Sequence, residues 1–312
     1  MSKPIIQTQE LTKNYKEVKA LDHLDLTVFE GEIFGYLGPN GAGKTTTLLA
    51  LMGLTVPTSG TATVGGYDII KDSRKIRQIA GMLPEGAGFY EDLTARQNLN
   101  YICQLNDIPK LEMEKSIKEL LDAVDLRNRA DMKVEKFSRG MKQRLGIAEV
   151  LVKNPKIAFF DEPTIGLDPQ GTKEIRDLLI RLNKEENLTI FLSSHLLYEV
   201  QQTCQRVGII RAGKLIVADT IENLSNRIAG KDKVVIEFEL SKVDADLIKD
   251  IEGIDGVISV DQNERKLYVH MREDKSGDVS QMIIKHGATI LLMKPKERSL
   301  EDIFIEYYKE GA

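Results

Sequence analysis

Over the first thirty residues apolar positions recur at every second place. Leu24, Leu26 and Val28 alternate with Asp25, Thr27 and Phe29, and a similar stretch runs over residues 5–11. That period predicts strands with one buried face. A short strand is expected over 60–64, ahead of a Gly65-Gly66 turn. Residues 33–37 are instead apolar throughout, the mark of a strand buried on both faces, and residues 47–52 after them read as a helix. From about 91 to 153 the period lengthens: Leu99, Ile102 and Cys103 share one helical face, as do Ile117, Leu120, Leu121 and Val124. Two further apolar runs, 157–160 and 189–192, enclose a helical stretch at 172–182, which predicts a parallel strand–helix–strand crossover. Runs at 207–210 and 215–218 flank Arg211-Ala212-Gly213-Lys214 as a hairpin.

After about Leu224 the pattern restarts. Strands at 234–240, 257–260, 267–270 and 289–293 are interleaved with helices at 243–251 and 279–285, and a closing helix covers 300–308. The order strand–helix–strand–strand–helix–strand predicts a ferredoxin-like α+β domain. A chain of 312 residues accommodates two domains, and we place them at 1–223 and 224–312, with a helical subdomain at about 86–153.

Composition narrows the classes. Hydrophobic residues at 42% and charged residues at 29% describe a globular protein, and a net charge of −5 without a long basic block argues against a bulk nucleic-acid binder. No apolar run is long enough to span a bilayer and the N-terminus lacks the apolar core of a secretion signal, so the expected location is cytoplasmic. Cys103 and Cys204 lie far apart and outside any metal-ligand spacing, as packed thiols would.

The most specific signal is Gly38-Pro39-Asn40-Gly41-Ala42-Gly43-Lys44-Thr45-Thr46. It meets the spacing of a phosphate-binding loop between a buried strand and a helix. Such a loop turns backbone N–H groups and a helix N-terminus toward one anion. Lys44 is then expected at the β- and γ-phosphates of a nucleoside triphosphate, with the Thr45 hydroxyl on Mg²⁺. Asp161 and Glu162 end the apolar run 157–160 at the edge where open parallel sheets present their ligand crevice. There the aspartate suits Mg²⁺ and the glutamate suits a general base for water. His195 follows the next strand in the same way. Ser138 reads as an N-cap and exposes another helix N-terminus as an anion site.

Together with Gly166-Leu167-Asp168, these segments resemble the nucleotide-binding subunit of an ABC transporter, over residues 3–222 and in that family's order. The resemblance implies an α/β P-loop ATPase core with an antiparallel β subdomain and a helical subdomain. It implies a head-to-tail homodimer holding two ATP, each between the phosphate loop of one copy and Ser138 and Gly140 of the other. It further implies Asp161 for Mg²⁺, Glu162 as catalytic base, His195 as γ-phosphate contact, Asp168 as a residue coupling across the dimer, and Tyr15 stacked on adenine. Integral membrane permease subunits are the implied partners, placing the chain on the cytoplasmic face of the membrane.

Two positions depart from the family pattern. Phe137, Arg139 and Met141 replace three residues of its usual Leu-Ser-Gly-Gly-Gln signature, and Glu85 stands where it carries glutamine, keeping an oxygen for Mg²⁺. Both resemble the branch containing drug, bacteriocin-immunity and sodium exporters, as does a C-terminal segment like Ser299-Leu300-Glu301-Asp302-Ile303-Phe304. The expected function is the ATP-hydrolysing subunit of an exporter. The alternatives are a soluble ATPase of the same family acting on ribosomes or DNA, and a nucleotide-sensing regulator with low turnover.

Overall fold

The structure is a computed structural model and describes residues 3–228, 234–295 and 300–310. The chain falls into two compact units, divided between Thr220 and Ile221.

The first unit opens with β1 (Pro4–Tyr15), β2 (Val18–Leu24) and β3 (Thr27–Phe29), followed by β4 (Ile33–Leu37) and α1 (Lys44–Leu51). Next come β5 (Ser59–Val64), β6 (Tyr67–Asp68), α2 (Ser73–Ile79) and β7 (Ala80–Leu83). A helical stretch holds α3 (Ala95–Leu105), α4 (Lys110–Ala123) and α5 (Arg139–Leu151). The unit closes with β8 (Ile157–Asp161), α6 (Pro169–Glu186), β9 (Thr189–Ser194), α7 (Leu197–Thr203), β10 (Arg206–Arg211) and β11 (Lys214–Thr220).

Two sheets result. An antiparallel one has the order β2-β1-β5-β6, with β3 also paired to β1. The other has the order β11-β10-β4-β9-β8-β7, parallel throughout except for β11. Every residue of β4, β8 and β9 is buried, which explains why the runs 33–37, 157–160 and 190–192 within them are apolar without alternation. Leu24 and Val28 from the first sheet share a core with Phe34, Phe159 and Phe191 from the second. Phe191 centres an aromatic cluster, with ring centroids 5.5 Å from Phe34, 5.2 Å from Tyr36 and 5.6 Å from Phe159. That packing fixes the three strands whose C-terminal ends carry the phosphate loop, the acid pair and His195.

The helix after the phosphate loop begins earlier than its apolar run suggests, at Lys44, so Lys44 and Thr45 form its first turn. In this unit the short elements β6, α2, β7 and α7 were not foreseen in the sequence.

The second unit contains α8 (Ile221–Ile228), β12 (Val234–Leu240), α9 (Ala245–Glu252), β13 (Val257–Asn263), β14 (Lys266–Met271), α10 (Ser276–Lys285), β15 (Ile290–Pro295) and α11 (Leu300–Glu310). Its antiparallel sheet has the order β13-β14-β12-β15. Phe238, Leu267, Val269 and Met271 meet Leu247, Ile251, Val279 and Ile283 of α9 and α10 in a separate core. Helix α11 packs on α8. Ser299 of the C-terminal segment singled out above lies outside the described residues.

Candidate nucleotide site

Between β4 and α1 the chain turns through Gly41 at φ 80° and Gly43 at φ 108°. At Gly43 two constraints coincide: a Cβ would lie 2.4 Å from the Ala20 carbonyl oxygen, and its φ is left-handed. Gly43 is the N-cap of α1 and no side chain caps that end. The first N–H groups of α1 therefore point into the loop for an anion. The Gly38 and Pro39 carbonyls accept from Lys44 Nζ at 2.7 and 3.3 Å, and Gly213 N–H donates to the Ala42 carbonyl at 2.9 Å. Beneath the helix, the Tyr36 phenol lies 3.3 Å from Thr47 Oγ1, and full burial pushes its pKa upward.

The acids converge on this loop. Thr45 Oγ1 donates to Asp161 Oδ2 at 2.7 Å, while Ser193 Oγ donates to Asp161 Oδ1. Lys44 Nζ lies 3.3 Å from Glu162 Oε1, a pair in which both side chains are buried. Glu162 Oε2 receives His195 Nδ1 at 2.9 Å, and Ser194 Oγ stands 3.4 Å away. Glu162 adopts φ 51°, and its N–H donates to the Ser193 carbonyl at 3.1 Å. This left-handed turn after β8 swings its carboxylate across to Lys44 and His195. Glu162 Oε1 is buried without a hydrogen-bond partner among the described residues, so its contact with Lys44 is ionic alone.

Pro39, Asn40, Gly41, Gly43, Lys44, Thr45 and Thr46 line a cavity of about 290 Å³ together with Glu85, Asp161 and Glu162. Val18 and Ala20 of β2 form its remaining wall, a contribution the sequence reading missed. A neighbouring cavity of about 180 Å³ shares Glu85, Asp161 and Glu162 and is bordered by Arg139, Lys142 and Gln143 of α5. Glu85 is exposed and belongs to both.

Tyr15, Ser138, Gly140 and Asp168 do not line the loop cavity. Tyr15 is 45% exposed at the end of β1, with Lys13 Nζ 4.8 Å from its ring centroid and its hydroxyl 3.4 Å from Thr55 Oγ1. Ser138 caps α5, accepting from Met141 N–H at 3.2 Å. Asp168 caps α6 through Gly171 N–H at 2.8 Å. Both caps are exposed, so two helix N-termini lie at the surface away from the loop. Arg139 is exposed, and it borders the neighbouring cavity rather than the loop cavity. Its guanidinium lies against Gly166, where a Cβ would come within 2.1 Å of Nη1 and where φ is 67°. Glycine in the Gly-Leu-Asp segment thus makes room for this arginine.

The roles of Ser193 and Ser194 were also missed; two polar residues closing an apolar strand beside an acid-tipped one were their signal. The thiols are packed as expected: Cys103 and Cys204 are buried, and burial pushes both pKa values upward.

The ABC transporter family model matches residues 21–165, and a model described as ATP-binding protein DrrA1-3-like, C-terminal domain, matches residues 220–308. The chain is 40% identical to the bacitracin transport ATP-binding protein BcrA of Bacillus licheniformis, over 99% of this chain and 98% of that one. It is 32% identical to the linearmycin resistance ATP-binding protein LnrL of Bacillus subtilis, over 96% and 97% respectively. Among solved structures it is similar to cbiO1 from Clostridium perfringens, part of the ABC transporter complex cbiONQ. That match has a TM-score of 0.66 and 28% identity, covering 74% of this chain and 92% of the other. A dimeric ATP-binding cassette in a post-hydrolysis state, bound to ADP and phosphate, matches with a TM-score of 0.63 and 26% identity, covering 69% and 98%.

Proposed function

We propose, on the premise that this chain belongs to the ABC transporter family of ATP-binding proteins, that it hydrolyses ATP between two copies of itself to drive membrane permease subunits of an exporter. The observation that carries the reading is the convergence of Lys44, Thr45, Asp161, Glu162 and His195 at the ends of adjacent parallel strands. The uncapped end of α1 and Lys44 take the phosphates. Glu162 accepts the proton of the attacking water, and its left-handed turn aims it at the phosphate end of the cavity. His195 Nδ1 is engaged by Glu162 at 2.9 Å, which leaves Nε2 as the ring nitrogen for a γ-phosphate oxygen.

Thr45 Oγ1 and Asp161 Oδ2 fit Mg²⁺, because two hard oxygen donors already meet in one place and the exposed Glu85 carboxylate borders the same cavity. When bound, the ion supplies neutralisation of phosphate charge. Ser138, Gly140 and Asp168 are read as the face offered to the second copy. Their exposed caps and their distance from the loop cavity support that assignment, as does the dimeric cassette among the similar structures. Tyr15 is read as the adenine platform, supported by its exposure.

No helix among the described residues is long and apolar enough to cross a membrane. In this reading the chain attaches to the cytoplasmic face through the permease subunits, as its relatives named as transport ATP-binding proteins support. Relatives named for bacitracin transport and linearmycin resistance support an antimicrobial compound as the exported cargo. The same full-length matches disfavour action on ribosomes or DNA.

Phosphate release by the purified chain with Mg-ATP tests the assignment. Glu162→Gln is expected to lower turnover by about 10²–10⁴-fold, the contribution of a positioned general base, while ATP binding is retained. Lys44→Ala is expected to lose both. Ordinary steady-state hydrolysis by Glu162→Gln would remove Glu162 from its role.

A further inference from the structure

We propose that Ser193 is a positioning residue that sorts the two neighbouring acids into their separate tasks. The proposal rests on the reading that Thr45 and Asp161 hold Mg²⁺. Strands β8 and β9 run parallel with Asp161 opposite Ser193. Ser193 is fully buried, and its hydroxyl donates to Asp161 Oδ1. Oδ2 is thereby turned toward the Thr45 hydroxyl at 2.7 Å. The carbonyl of the same residue accepts Glu162 N–H at 3.1 Å, which holds Glu162 in its left-handed turn.

Successive strand residues face opposite ways, and the next hydroxyl, Ser194 Oγ, stands near Glu162 rather than Asp161. Asp161 is 2% exposed, so water cannot replace a missing hydroxyl at Oδ1 at little cost. A buried carboxylate oxygen that loses its partner rotates to find another, and the rotation carries Oδ2 away from the place where it meets Thr45. Ser193 thus acts on the metal only through Asp161.

The test is a Mn²⁺ titration, followed by electron paramagnetic resonance, of full-length protein with a non-hydrolysable ATP analogue. Affinity for the analogue in EDTA is measured on the same samples. Ser193→Ala is expected to raise the Mn²⁺ half-saturation about 10–100-fold, the usual effect of removing a group that orients a ligand, and to leave analogue affinity in EDTA within about twofold of the parent. Ser194→Ala removes the same atom one residue along and is expected to leave Mn²⁺ half-saturation unchanged. Asp161→Asn separates the levels of the argument. If it keeps the parent half-saturation, the metal reading itself fails. If it loses Mn²⁺ while Ser193→Ala does not, Ser193 has no such role. Loss of analogue binding in EDTA by Ser193→Ala would also overturn the proposal, since the hydroxyl would then be supporting the phosphate loop instead of the acid.

Discussion

Glu162 reaches Lys44 and His195 because its backbone takes φ 51° directly after a fully buried strand. A non-glycine residue in that region stores strain of about 1–3 kcal/mol and persists only where its surroundings over-determine it. Here the Ser193 carbonyl, the Lys44 ammonium and the His195 ring do so. Gly43 is the complementary case, where the backbone tolerates no side chain. Gly43→Ala would set a methyl 2.4 Å from the Ala20 carbonyl at φ 108°. We expect it to lower the melting temperature and to abolish the upward shift that ATP gives the parent, both read from one pair of thermal melts. At this scale the sequence was legible wherever chemistry follows from spacing. The phosphate loop, Asp161, Glu162 and His195 were all identified as site candidates, and the structure brings them together. What could not be read was which oxygen faces which donor, because the pairing of Ser193 with Asp161 depends on the register of two strands. The seat of Arg139 on Gly166 was hidden for the same reason: it joins two segments distant in sequence.

Among the elements, α5 joins a proposed surface role to a half-buried acid. Ser138 caps its N-terminus, while Glu149 near its other end is pushed up to about 7 by burial. The raised value means that the folded chain holds this proton more tightly than the unfolded one. Stability therefore falls as pH rises from about 4.5 to about 7, and the full cost is present above that window. Glu149→Gln is expected to stabilise the protein at pH 8 by up to about 3 kcal/mol and to change it little at pH 4.5, measured by urea unfolding at both values. Element recognition followed length and period. The helix α6 and the second unit's strand–helix–strand–strand–helix–strand order emerged from sustained patterns. Strand β7, four residues long with no alternation, and the seven-residue helices α2 and α7 offered too few positions to establish a period.

Over the whole molecule, each unit carries its own apolar core. A fragment ending at Thr220 is accordingly expected to melt cooperatively and to bind ATP within about threefold of the full chain, since every described residue lining the loop cavity belongs to the first unit. For residues 224–312 we propose a role in stabilising the dimer or regulating access to it, and that fragment checks the proposal. Unchanged dimerisation, turnover and transport would remove it. We propose that the loop cavity is half a site, completed by Ser138 and Gly140 of a second copy. The most direct test is light scattering on Glu162→Gln with and without ATP. Particles of 35.0 kDa are expected without nucleotide and about twice that mass with ATP, with the shift lost in Glu162→Gln/Ser138→Arg although nucleotide still binds. A protein that is saturated with ATP and still scatters at 35.0 kDa would contradict it.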